Sequence, residues 1–197
     1  TASGTDGTID FASTIDGVSD STDDNLVLLS GDNGGALSLG GVIGGSVALT
    51  SLDINQSAGT IALSIPGIGG ANPGVTGATR IGNTGSGDIT FTADGANAYN
   101  FGGDLTVTSD GGDGAFTFTN SPTITAGGTV AFNEGSGTDD TMVLADLKTL
   151  TIDTSTAGAD ITLANFDGTA NGGDGIANDG SDLTIDAGSG TVNLESI

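Results

Sequence analysis

The sequence predicts an all-β protein, with a β-solenoid as the first architecture and a β-sandwich as the alternative. Three observations predict it. Short apolar–polar–apolar triplets such as Ile89-Thr90-Phe91 and Leu105-Thr106-Val107 recur along the chain, the period of a strand with one buried face. Gly, Asp or Asn closes nearly every triplet, and no stretch keeps a helical period. The 197 residues include 37 Gly but no Trp and no Cys, a supply poor in bulky side chains for an ordinary globule. Stacked coils that bury Ile, Leu, Val and Ala on one another need no more. Disorder shares the Gly, Ser and Asp content and the high net charge, but it does not require the period-two alternation.

The first block runs from Gly7 to Leu63. It holds Thr8-Ile9-Asp10-Phe11 and Ile15-Asp16-Gly17, a polar insert from Val18 to Asp24 read as an outward loop, then Asn25-Leu26-Val27-Leu28. Leu37-Ser38-Leu39-Gly40-Gly41-Val42-Ile43, Leu49-Thr50-Ser51-Leu52-Asp53-Ile54 and Thr60-Ile61-Ala62-Leu63 follow. Two prolines and four glycines between positions 66 and 74 argue against a strand there and predict a protruding loop or seam within a single domain, 1–197. Beyond it the triplets resume at Ile89, Leu105, Phe116, Val130, Met142, Leu150, Ile161, Leu183 and Val192, with a second Gly-rich loop expected near 167–180. Cores of three residues are shorter than the five or six typical of strands, and Thr at the polar position suits a stacked sheet face; both favour the solenoid over the sandwich. At roughly 20 residues per coil, the chain would make about nine or ten coils and, at about 4.8 Å per coil, a rod some 40–45 Å long.

The charge excludes partners. Formal net charge is −23, from 25 acidic residues against Arg80 and Lys148. Such a surface repels nucleic-acid phosphates and anionic lipid headgroups, attracts divalent cations, and suits a salty medium that screens self-repulsion. No run approaches the roughly 18 apolar residues of a membrane-spanning helix, so no membrane insertion is expected. The chain starts at Thr1 with no basic and apolar leader, which reads as a mature or excised piece of a secreted protein.

The order and spacing of the pieces between Gly7 and Leu63 resemble the filamentous haemagglutinin-type repeat of giant secreted bacterial surface proteins. The resemblance covers the first third of the chain; beyond Pro66 only the strand grammar persists. It implies a right-handed parallel β-helix, placement outside the cell at its surface, and a structural or adhesive role with no catalytic residues to carry over.

Catalysis finds little support in the composition. With no His and no Cys, the commonest general base and the commonest soft nucleophile are missing. Asp23-Asp24 and Asp139-Asp140 are the carboxylate pairs that glycoside hydrolysis could use, and adjacent acids in a loop read more simply as solvated turns. Calcium is the best-motivated ligand, since it takes six to eight oxygens of the kind that Gly-Asp turns supply. The candidate clusters are Asp20, Asp23 and Asp24; Asp110 and Asp113; Asp139 and Asp140; and Asp174, Asp179 and Asp182. The last resembles the calcium-binding Gly-Gly-x-Gly-x-Asp nonapeptide, with Ala177 where Asp is wanted. The bland reading of every cluster is a charged, solvated turn. Arg80 is expected to pair with a nearby Asp, and Lys148 to be an exposed strand-end residue. Phe91, Phe101, Phe116, Phe118 and Phe132 are expected as core ladders.

Neither end of the sequence carries an amphipathic capping helix. Flanking repeats of a longer chain or further copies end to end are therefore the expected partners. The expected function is an extracellular structural protein: a self-assembling subunit or segment of a bacterial cell-surface filament, sheath or adhesin, not an enzyme. The alternatives are a donor-strand pilus-like subunit and a β-helix module that binds cell-surface carbohydrate.

Overall fold

A strand that alternates apolar and polar side chains buries one face and leaves the other in water, and a chain of such strands can close on itself by stacking. The computed structural model describes residues 9–19, 23–29, 37–55, 62–83, 86–109, 115–133, 141–168 and 180–194. Among these it is all-β, with parallel strands stacked as a β-solenoid and no helix. In chain order the strands are β1 (Ile9–Phe11), β2 (Asn25–Leu28), β3 (Leu37–Leu39), β4 (Ser51–Ile54), β5 (Leu63–Ile65) and β6 (Thr79–Ile81). There follow β7 (Ile89–Phe91), β8 (Gly95–Phe101), β9 (Leu105–Thr108), β10 (Phe116–Phe118), β11 (Pro122–Ala126) and β12 (Val130–Asn133). The last are β13 (Thr141–Leu144), β14 (Thr149–Asp153), β15 (Ile161–Leu163), β16 (Asn165–Gly168), β17 (Asp182–Asp186) and β18 (Val192–Leu194).

Three faces form the wall. The first is β1-β3 followed by β5-β7-β10-β13-β16, the second is β8-β11-β14-β17, and the third is the seven-stranded β2-β4-β6-β9-β12-β15-β18. Single parallel bridges, Ile15 to Ile43, Ile43 to Ile68 and Ile68 to Tyr99, carry the second face back to the first rung. The third face steps through Leu26, Leu52, Thr79, Leu105, Val130, Ile161 and Val192, so the described residues make seven rungs. The register advances by 24 residues where Thr141 lies opposite Asn165 and by 33 where Thr149 lies opposite Asp182. The nine or ten coils expected from a 20-residue repeat are thus corrected. The fourth to seventh coils place a strand on each face, the first three bring only a single bridging residue to the second face, and seven rungs about 4.8 Å apart span about 29 Å.

The core is a set of side-chain columns. One reads Ile15, Ile43, Ile68, Tyr99, Ile124, Ile152 and Ile185. At mid-height the rings of Phe91 and Phe118 stack at 4.9 Å, and Phe132 and Tyr99 meet Phe91 edge-on. The five phenylalanines are buried, as expected of core ladders. Segment 66–74, expected to protrude, is instead a corner of the wall: Ile68, Gly69, Gly74 and the following Val75 are buried, and only Ala71 and Asn72 are exposed. The loop expected near 167–180 lies mostly outside the described residues.

The corners need unusual backbone. Gly44 has φ +66° and lies against Gly74; a Cβ there would fall 2.0 Å from the Gly74 carbonyl oxygen. Asn55, buried at φ 54°, uses the tolerance of asparagine for the left-handed region. Its Nδ2 donates to Ser86 Oγ at 3.2 Å, so its polar side chain is satisfied inside.

Candidate functional site: acidic corners and end rungs

Aspartate precedes a strand at several corners, and the reason is local. A strand entering the wall leaves backbone N–H groups at its bend, and a short carboxylate one coil away can accept from them. Asp104 Oδ1 accepts from Thr129 N at 2.7 Å and Thr129 Oγ1 at 3.1 Å. Asp160 Oδ1 accepts from Thr191 N at 2.7 Å, Asp88 Oδ1 from Ala115 N at 3.0 Å, and Asp94 Oδ1 from Ser121 N at 3.0 Å. Asp16 Oδ1 accepts from Ser46 N at 2.8 Å. Each carboxylate therefore clasps the next coil. None of these five was a predicted site residue. Their partners lie 25 to 31 positions on, from Asp104 to Thr129 and from Asp160 to Thr191, a spacing that marks them only once the coil repeat is known.

The predicted calcium ligands are placed as follows. Asp24 Oδ2 accepts from Val18 N at 2.7 Å, and the carbonyl of Asp23 accepts from Asn25 N at 2.9 Å. Asp182 is exposed at the start of β17, its N–H donating to the Lys148 carbonyl at 2.9 Å. Asp23 and Asp24 sit beside the first rung and Asp182 on the seventh, so these three are not brought together. Asp20, Asp110, Asp113, Asp139, Asp140, Asp174 and Asp179 lie outside the described residues. Among the described residues no three acids converge as a metal-holding group.

Other candidate chemistry is structural. Arg80 Nη1 meets Asp53 Oδ1 at 3.4 Å on the outer surface, the expected surface pair. Tyr99 is buried; its hydroxyl donates to the Ile65 carbonyl at 2.9 Å and accepts from Ala93 N at 3.0 Å. Burial raises its pKa well above the usual tyrosine value, and backbone hydrogen bonds from Ala93 and Thr92 offset part of the shift. A groove of about 380 Å³ opens at the corner between the first two faces, beside Gly41, Val42, Pro66, Gly67 and Asp94. Its wall is mostly backbone and small side chains, and Oδ1 of Asp94 is engaged with the N–H groups of Gly95 and Ser121.

The end rungs are the remaining surface with a distinct character. On the first rung Ile9, Phe11, Ile15 and Leu26 are only partly buried, and on the seventh so are Phe166, Leu183, Ile185 and Leu194. The same columns are almost solvent-free at mid-height. No family model, curated protein or solved structure matches this chain. The likeness to filamentous haemagglutinin-type repeats therefore rests on residues 7–63, and what it implies belongs to the proposal below.

Proposed function

We propose that this protein is a non-enzymatic structural element of the extracellular surface, a β-solenoid subunit or segment of a bacterial filament, sheath or adhesin that continues end to end. One observation carries the reading: the core meets both end rungs with apolar, partly exposed side chains, Ile9, Ile15 and Leu26 on the first and Phe166, Ile185 and Leu194 on the seventh. A wall built this way extends by adding coils, each supplying the same hydrogen bonds and apolar contacts as the one before. The acidic outer surface supports the same role, since net charge keeps neighbouring walls apart and soluble. Calcium belongs to this proposal as a ligand of the Asp-rich turns.

Two assays test the reading. Purified protein incubated with neutral and acidic polysaccharides is expected to release no new reducing ends and to give no binding heat. Turnover of a polysaccharide would overturn the structural role in favour of a carbohydrate-degrading β-helix. Isothermal titration with calcium is expected to show binding, and a flat titration would remove calcium from the proposal while leaving the structural role.

A further inference from the structure

We propose that the seventh rung of one copy stacks head to tail on the first rung of a second, and that facing aspartates make this joint dependent on ionic strength. The inference rests on the structural reading above and adds the contact surface and its control. Every pairing in the wall is parallel, so β16, β17 and β18 at one edge and β1 and β2 at the other accept a continuing strand of the same direction. A head-to-tail copy presents that direction; a head-to-head copy reverses it. The columns also match. Ile185 of one copy meets Ile15 of the next in the isoleucine column, and Val192 meets Leu26 in the third face. These are the side chains left incompletely covered, with Val192 42% exposed.

One position outward, the register opposes the joint. Next to the isoleucine column stand Asp16 after Ile15 on the first rung and, in register on the fourth to seventh rungs, Asn100, Thr125, Asp153 and Asp186. A head-to-tail joint therefore sets Asp186 against Asp16. The wall already holds one such pair, because Asp153 faces Asp186 on successive rungs. There the carboxylates turn into their own loops: Asp153 Oδ1 accepts from Ser155 N at 2.8 Å and Asp186 Oδ1 from Gly188 N at 3.0 Å. Stacked acids are thus compatible with the fold but repel, and each copy adds a net charge of −23 to that repulsion. Salt shortens the reach of these charges from about 30 Å at 0.01 M to about 3 Å at 1 M.

Sedimentation velocity of the 197-residue chain across 10 mM to 1 M NaCl tests the joint. Monomer at the lowest salt and a growing series of oligomers as salt rises is the expected result. The double variant Asp16→Asn/Asp186→Asn keeps carbonyl acceptors for the loop contacts and should reach the same oligomers at severalfold lower salt. Val192→Lys, checked for a native circular dichroism spectrum, should remain monomeric throughout. Monomer at every salt for both native chain and double variant overturns the joint, and with it end-to-end assembly, while the polysaccharide assay still judges the structural role separately. Oligomers of equal size at all salts, unmoved by the double variant, overturn the ionic control alone. Oligomers that persist in Val192→Lys overturn the assignment of this surface.

Discussion

Single residues divide the acids into two kinds. Asp104 holds two donors of the next coil, whereas the backbone of Asp182, not its carboxylate, bridges to the neighbouring coil. Asp104→Ala is expected to cost about 1.5–3 kcal/mol in urea unfolding, the range for hydrogen bonds to a charged acceptor, and Asp182→Ala no more than about 0.5 kcal/mol. Thr79 shows the opposite imbalance. It is buried in the column between Leu52 and Leu105 with no hydrogen-bond partner for Oγ1. Thr79→Val keeps its shape, removes the unsatisfied group, and should stabilise the fold by about 1 kcal/mol. Tyr99 links the core to pH. Its folded pKa lies above its unfolded value near 10. Its contribution is therefore complete below about pH 10 and lost as pH climbs from there toward the folded value. Urea midpoints of the native chain should fall between about pH 9 and 11 more steeply than those of Tyr99→Phe. The clasping acids were not legible as such in the sequence, because an Asp before a strand looks like any turn residue until its partner one coil away is known.

At the scale of elements, the sequence exposed the strands with an apolar pair and hid the rest. All nine triplets from Ile89 to Val192 lie within strands. The strands β8 and β11 escaped notice because Gly95, Asn100 and Pro122 read as punctuation. With those strands unseen, the coil was set at roughly 20 residues, whereas the register advances by 24 to 33. The same habit turned 66–74 into a loop, although Ile68 fills the isoleucine column there. Corners are where this fold is least forgiving. Gly44→Ala meets both a left-handed backbone and the Gly74 carbonyl, and should destabilise by more than about 2 kcal/mol. Gly70→Ala, with nothing within 4 Å of the added carbon, serves as its neighbour control and should change stability by less than about 0.5 kcal/mol. Thermal or urea unfolding of the two variants side by side checks the pair.

For the whole molecule, charge and stacking act against each other. Core ladders favour adding coils without limit, while a net charge of −23 on one chain opposes bringing coils together. Raising NaCl from 10 mM to 1 M should therefore raise the unfolding temperature of the isolated chain, and a flat profile would show that self-repulsion is not a leading cost. The seven rungs make a block about 29 Å tall, so a filament requires many copies or a longer chain. The architecture was open to sequence reading because period-two alternation is a local signal. The surface proposed to join copies was not, because it depends on which residues share a rung. The most direct test is electron microscopy of the purified chain at high salt, with diffraction from aligned specimens. End-to-end stacking predicts filaments one solenoid wide, with a spacing of about 4.8 Å along the filament axis. Separate compact particles about 30 Å across under all salt conditions, or fibres with that spacing across the axis, would contradict it.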